Sequence, residues 1–204
     1  GQRAGSIGAA GCFSFFPAKN LGALGDAGAV VTQDPSLAER LRSVRIHGRT
    51  RPYVHEHRGG NFRLDAIQAA ALRVKLPCLE DWVRARQDAA FRYQTLFYEQ
   101  DLMEALTPPA PGPGRHVYNQ YVIQIHDDKR QEVFEALGEA EIGRAVYYPL
   151  TLPQQPLMKR LGLTERCPVA ERATAECLAL PIAPGVSEED QARVVETLAS
   201  VLRR

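Results

Sequence analysis

The chain has 204 residues, of which 45% are hydrophobic, and its 25 basic and 24 acidic side chains give a formal net charge of +1. This composition predicts a globular protein with a buried core, and the near-zero charge excludes a general attraction to nucleic acid or to an anionic membrane. The four cysteines fall in no metal-binding spacing, so we predict small, buried, reduced thiols in a cytoplasmic protein without a metal site. No apolar run reaches membrane-spanning length.

Two short apolar runs near the start of the chain enclose a glycine-rich loop with one lysine, Lys19. Residues 11–16 and 27–32 are predicted strands, because aromatic and β-branched residues are bounded there by Gly, Pro and Asp. An amine held against apolar walls is partly desolvated, which suits attack on a carbonyl, whereas the alternative is an ordinary solvated lysine. Ser14 shares a strand face with Phe16, and its hydroxyl has either a structural role or a phosphate-binding one.

Helical patterns follow in the middle of the chain. Asp34 is the expected N-cap of a helix that has Pro35 at its first position and ends before Gly48. Pro77 divides the next helical segment into two helices. The Pro/Gly-rich residues 107–116 are predicted to form a surface connection.

The last part of the chain alternates between strand and helix patterns. The predicted elements are a strand at 118–125, a helix at 128–140, a short strand at 142–149 and a helix at 187–201. Ser187 and Asp190 have the spacing of a capping box at the start of the last helix. This alternation indicates an α/β or α+β unit.

The stretch 45–65 concentrates five arginines and three histidines. It is compatible with a nucleic-acid patch, with a solvated basic loop, or with an anion site in which Asn61 offers its amide to a phosphate. The overall neutrality and the absence of a nucleic-acid fold signature argue against the first alternative. Asp65 is expected to cap the following helix.

Three segments, SFFPAKNLGALGDAGAVVT, GGNFRLDAIQAAALRVKL and VYYPLTLPQQP, resemble signatures of the DegT/DnrJ family of pyridoxal-phosphate-dependent sugar aminotransferases, in the family's order. The resemblance continues through CPVAERATAECLALPIAP. It implies an α/β fold of the aspartate-aminotransferase type (PLP fold type I). Residues 1–106 would be part of the large cofactor domain, and residues 107–204 would be the small C-terminal domain.

The resemblance also implies roles for single residues. Lys19 would bind pyridoxal 5'-phosphate covalently and then move the proton between substrate and cofactor, and Ser14 would bind the cofactor phosphate. Asn61 would reach the phosphate in the neighbouring subunit, which implies a homodimer with shared active sites. Relatives with histidine at the lysine position catalyse dehydration, so the lysine here favours transamination.

The implied function is transfer of an amino group, with glutamate as the expected donor, to a keto group of a nucleotide-linked sugar in cell-surface polysaccharide or related sugar biosynthesis. His47 and Arg63 would contact a cofactor phosphate or substrate diphosphate, and Tyr148 would contact the sugar. In the family, the acidic partner of the pyridine nitrogen precedes the lysine segment, so this span is expected to be a C-terminal half that is inactive alone. The alternative is a non-catalytic regulatory or binding protein, against which the pair of Lys19 and Ser14 argues. Neither nucleic acid nor a membrane is an expected partner.

Overall fold

The structure is a computed structural model that describes residues 1–203. The backbone divides into two compact units, of which the first is Gly1–Glu80 and the second begins at Asp81. No helix among the described residues is long and apolar enough to cross a membrane. The same residues contain no group of three or more His, Cys, Asp or Glu side chains that could hold a metal ion.

The first unit consists of two antiparallel hairpins and two helices. Its elements in chain order are β1, Gly11–Ser14, β2, Gly28–Val31, α1, Pro35–Val44, β3, Arg49–Arg51, β4, Val54–His55, and α2, Ala66–Lys75. Strand β1 pairs with β2, and β3 pairs with β4. The predicted strands at 11–16 and 27–32 are therefore confirmed, whereas the short β3–β4 hairpin was not expected from the sequence.

The start of α1 is fixed by Asp34, as predicted. Its carboxylate accepts hydrogen bonds from the backbone N–H of Ser36 at 2.8 Å and of Leu37 at 3.3 Å, which satisfies donors that the helix leaves unpaired. The Ser36 hydroxyl and these N–H groups hold the pKa of Asp34 below its usual value. Asp65 occupies the corresponding position before α2, but its side chain makes no capping hydrogen bond.

The second unit is a three-stranded antiparallel sheet packed with helices, in the strand order β5-β6-β7. Its strands are β5, Leu106–Thr107, β6, Tyr121–Ile125, and β7, Cys177–Leu180, and its helices are α3, Leu79–Glu99, α4, Arg130–Glu139, α5, Pro156–Arg160, α6, Pro168–Glu176, and α7, Glu188–Leu202. A single 3₁₀ turn, Leu76–Cys78, separates α2 from α3, and the predicted break at Pro77 is thereby confirmed. No helix or strand is present between 108 and 116, which agrees with the predicted connection.

The capping box predicted at the start of α7 is present. Asp190 donates its backbone N–H to the Ser187 hydroxyl at 3.0 Å, and its carboxylate accepts from the Ser187 backbone at 3.0 Å. The bonds from the Ser187 side chain and backbone hold the pKa of Asp190 below its usual value. The local signal of Ser187 and Asp190 was sufficient to place this helix correctly.

An aromatic stack lies at the centre of the second unit. Tyr93, Phe97 and Tyr121 are fully buried, with ring centroids 5.0 Å apart for Tyr93 and Tyr121 and 5.8 Å apart for Tyr93 and Phe97. Burial raises the pKa of both tyrosines. Because α3 contributes to this core, the compact unit begins near its first residue, before the domain boundary predicted at 106/107. That boundary concerns the domains of a complete enzyme and stays a prediction.

Two predictions about the chain were wrong. The segment 142–149 is not a strand, since its one pairing is an isolated bridge between Ala145 and Ala179. Pro149, at the end of the segment, has no N–H to donate to a ladder. The cysteines are not uniformly buried: Cys12 and Cys78 are exposed, Cys167 is half-buried, and only Cys177 is buried. Cys12 lies in the β1–β2 hairpin and Cys78 in the 3₁₀ turn, and both side chains are at the surface.

Replacing Phe97 by alanine tests the assignment of the core. We expect a loss of roughly 3–5 kcal/mol in the free energy of unfolding, because the ring leaves a cavity beside Tyr93. Phe91 lies on the same helix and is 71% exposed, so Phe91→Ala should change stability by less than about 0.5 kcal/mol. Urea unfolding of both variants measures the difference. Equal losses would show that the buried face of α3 has been misassigned.

Candidate active site

Lys19 lies in a tight turn that follows β1. The Lys19 backbone N–H donates to the Phe16 carbonyl at 2.8 Å, and the Phe16 N–H donates to the Ser14 hydroxyl oxygen at 3.3 Å. Ser14 is the last residue of β1 and pairs with Gly28. The structure therefore brings Ser14 and Lys19, the two residues predicted to act together, into one short turn.

The loop that carries the lysine is attached to α2. The Leu24 backbone N–H donates to the side-chain oxygen of Gln68 at 2.8 Å, and the Lys75 ammonium donates to the Gly22 carbonyl. Gly22 is buried, and a Cβ there would overlap the Pro17 carbonyl. The anchoring residues Gln68 and Lys75 were missed from the sequence, because each acts on backbone more than 40 residues away and has no local signature.

The predicted apolar walls around Lys19 are absent from the described residues. Lys19 is exposed, and the neighbouring rings of Phe13 and Phe16 are 41% and 51% exposed. The side chains expected to enclose the amine instead cover little in the first unit, where Gly22 and Ala23 are the buried residues of this loop. Among residues 1–203, no side chain makes a hydrogen bond or ion pair with the Lys19 ammonium. Its Nζ is therefore available to an incoming carbonyl.

A second group of predicted residues meets beside α1. Ile46 and Asn61 form an isolated antiparallel bridge, and the His47 backbone N–H donates to the Gly60 carbonyl at 3.0 Å. Arg63 Nε donates to the Asn61 side-chain oxygen at 2.7 Å, which leaves the Asn61 amide N–H groups free to donate. His47, Asn61 and Arg63, well separated in the sequence pattern, are thus neighbours through the backbone.

Tyr148 lies in the second unit, at a cleft of about 1050 Å³. It is 68% exposed and Tyr147 is 41% exposed, so the pair does not belong to the core. The cleft is mainly apolar, with the segment 147–153 along one side and Cys167 and Cys177 at the ends of α6. Burial raises the pKa of the Cys177 thiol, which disfavours the reactive thiolate.

The donors in the first unit fit a cofactor that has both a carbonyl and a phosphate. Lys19 supplies an unpaired amine, and the Ser14 hydroxyl still has its proton to donate after accepting from Phe16. The Asn61 amide and the Arg63 guanidinium are donors of the kind that phosphate oxygens accept.

Gly48 holds the β3–β4 hairpin close to α1, and we expect a substitution there to lower the stability of the fold. Its φ is +71°, and a Cβ would overlap the His57 carbonyl oxygen, so Gly48→Ala should destabilise the fold by roughly 2–4 kcal/mol. Gly162 has a similar φ of +74° but open space around it, and Gly162→Ala should cost only about 1 kcal/mol. Urea unfolding compares the two, and equal costs would contradict the close packing at Gly48.

Comparison with known proteins gives matches along the whole chain. A "Pleiotropic regulatory protein" of Geobacillus stearothermophilus is 43% identical, over all of this chain and 54% of the relative. A UDP-N-acetyl-3-dehydro-alpha-D-glucosamine 3-aminotransferase of Acidithiobacillus ferrooxidans is 42% identical, over all of this chain and 53% of the relative. The crystal structure of NtdA from Bacillus subtilis with the bound cofactor PMP has a TM-score of 0.87 at 27% identity, over 96% of this chain and 46% of that chain.

The lysine turn on a hairpin, the three-stranded unit and the likeness to solved aminotransferases define a protein of the aspartate-aminotransferase fold class. Residues 1–199 match the DegT/DnrJ/EryC1/StrS aminotransferase family, and the chain belongs to that family. The family and fold class predicted from the sequence are thereby confirmed. The chain spans about half the length of the curated relatives it matches.

Proposed function

We propose that this chain is part of a pyridoxal-phosphate-dependent aminotransferase that transfers an amino group, with glutamate as donor, to a keto group of a nucleotide-linked sugar. The observation that supports this most is the exposed, unpaired amine of Lys19, one turn from the Ser14 hydroxyl. The sugar-nucleotide name of the Acidithiobacillus relative supports the substrate class. We further propose a cytoplasmic homodimer with shared active sites.

In this proposal, the residues of the first unit bind the cofactor and move the proton. Lys19 Nζ would hold the cofactor through its carbonyl carbon, and as a free amine it would take and return the proton at the substrate carbon. The Ser14 hydroxyl and the Asn61 amide donate to the phosphate, Asn61 from the neighbouring subunit. The bound cofactor supplies an electron sink for the carbon that loses its proton.

The substrate contacts are assigned to three further residues. Arg63, already oriented by its bond to Asn61, presents the rest of its guanidinium to a diphosphate or to the cofactor phosphate, and His47 lies beside it. Tyr148 has an exposed ring at the cleft of the second unit and offers a hydroxyl to the sugar. A nucleotide-linked sugar carries both hydroxyls and phosphates, which these side chains recognise.

A regulatory protein without turnover is the second candidate, since the Geobacillus relative carries a regulatory name. Such a protein has no chemical need for an unpaired lysine amine beside a phosphate donor. The residues that this chain keeps therefore favour the enzyme.

Mass spectrometry tests the two candidates against each other. The complete protein is incubated with cofactor, glutamate and a panel of keto-sugar nucleotides that differ in the ketone position and in the nucleotide. We expect one member of the panel to gain an amino group in a cofactor-dependent manner. Binding of panel members without conversion of any would favour the regulatory protein.

Asn61→Ala tests the phosphate role. The variant should bind the cofactor more weakly by about 1.5–3 kcal/mol, because one charge-assisted hydrogen bond is lost. Gln33, an exposed residue before α1, serves as the control, and Gln33→Ala should leave the affinity unchanged. Equilibrium titration of the complete apoprotein with the cofactor gives both affinities. An unchanged affinity for Asn61→Ala would remove Asn61 from the site.

A further inference from the structure

A second cavity, of about 500 Å³, lies in the first unit and is lined by residues of α1 and of the β3–β4 hairpin. Arg40, Arg42 and Arg49 line it together with His57. None of the residues assigned above to the cofactor or to the substrate lines this cavity. The proposed function therefore leaves this cavity without a role.

The backbone fixes this arrangement. The Gly48 carbonyl accepts from the backbone N–H groups of Glu56 at 3.0 Å and His57 at 3.3 Å, and the Gly48 N–H donates to the Ser43 carbonyl at 2.9 Å. The positive φ of Gly48 allows this close approach. The base of the hairpin is thus tied to the end of α1, which brings Arg49 and His57 to the same cavity as Arg40.

The charges around the cavity are unbalanced. Three arginines line it against one carboxylate, that of Glu39. Among residues 1–203, none of these three guanidiniums makes a hydrogen bond or an ion pair. All three arginines are exposed, so water screens their repulsion, and a bound anion would reduce it further. The excess of two positive charges matches a phosphate dianion.

The wall of the cavity also contains an unsatisfied polar group. Ser43 lines the cavity and is only 8% exposed, and its hydroxyl has no hydrogen-bond partner within the described part of the chain. Native structures leave few buried hydroxyls unpaired, and an ordered water or an ion is the kind of partner that such a group takes up. Ser43 is an observation independent of the arginines.

We propose that this cavity binds the phosphate or diphosphate group of a small molecule, at a site separate from that of the cofactor phosphate. Guanidinium groups bind phosphate oxygens through two parallel hydrogen bonds, and arginines from both α1 and β3 approach the ligand from two sides. The volume lies within the range of small-molecule sites. The ligand would couple the hairpin to α1, since it bridges Arg40 and Arg49.

Calorimetric titration of the complete, cofactor-loaded protein with inorganic pyrophosphate tests this site. We expect Arg40→Gln/Arg49→Gln to weaken pyrophosphate binding by roughly tenfold or more, because two charge-assisted contacts are lost. Arg73 on α2 is exposed and outside the cavity, so Arg73→Gln should leave the affinity within about twofold of the wild type. Asn61→Ala should weaken binding far less than the double variant, because Asn61 orients Arg63 in the proposed substrate site and lies outside the cavity. Thermal melting verifies that each variant is folded.

Four results would overturn the proposal. The first is that the wild type fails to bind pyrophosphate. The second is that Arg73→Gln weakens binding as much as the double variant, which would indicate attraction to surface charge alone. The third is that Asn61→Ala abolishes binding while the double variant retains it, which would place the anion at the cofactor phosphate or the substrate diphosphate. Finally, a single-stranded oligonucleotide binds more tightly than pyrophosphate, with steep salt dependence that the double variant loses, which would make a nucleic-acid backbone the occupant.

Discussion

Lys19→Ala is expected to lower amino transfer in the complete enzyme by at least about a thousandfold, which corresponds to roughly 4 kcal/mol in the activation barrier. The amine both forms the covalent link and moves the proton, and alanine does neither. Lys75 is the other lysine of the first unit, but it donates to the Gly22 carbonyl and holds the loop. It is therefore not positioned as a substitute for Lys19.

The matched control for this experiment is Lys159→Ala. Lys159 is exposed on α5 in the second unit, and its removal should leave the rate within about twofold of the wild type. The rates are measured with the sugar nucleotide identified by mass spectrometry and with saturating cofactor. Retention of full transamination by Lys19→Ala would refute its assignment as the reacting amine.

The second large effect concerns the sharing of active sites. Asn61→Asp should be nearly inactive, because a carboxylate in place of the amide repels the cofactor phosphate. When equal amounts of Asn61→Asp and Lys19→Ala subunits are exchanged at random, half of the dimers are mixed. Each mixed dimer then has one site with both lesions and one with neither, so about a quarter of the wild-type activity should return.

The alternative arrangement makes a different prediction. If Asn61 acts on the phosphate within its own subunit, both sites of a mixed dimer carry one lesion, and no activity returns. Native mass spectrometry establishes that mixed dimers have formed. Demonstrated mixed dimers without recovered activity would exclude a shared site, and a protein that stays monomeric would exclude it as well.

The features that were predicted correctly from the sequence are local ones. Asp34, Pro77 and the Ser187–Asp190 pair act within a few residues, and the structure confirms the helix boundaries that each predicts. The failed strand at 142–149 depended on pairing with β7, which is reached only through Ala145. Strand pairing is a long-range property, so residues such as Tyr147 and Tyr148 satisfy a strand pattern without forming a ladder.

The candidate site shows the same contrast between local features, which the sequence predicts, and long-range ones, which it does not. Lys19 and Ser14 were identified from one segment, and the structure places them in one turn. The expected apolar enclosure of Lys19 is not formed within this span, where the rings of Phe13 and Phe16 are exposed. Gln68, which holds the lysine loop from 44 residues away, had no sequence signal at all.

Peptide mapping after borohydride reduction tests the central claim most directly. The complete protein is incubated with pyridoxal phosphate, reduced so that any covalent link becomes permanent, digested and analysed by mass spectrometry. This span has four lysines: Lys75 is bonded to the Gly22 carbonyl, and Lys129 and Lys159 belong to the second unit. We predict that the peptide containing Lys19 carries the cofactor mass and that the other three lysines of this span do not. An unmodified Lys19 with the cofactor fixed to a different lysine would contradict the proposal.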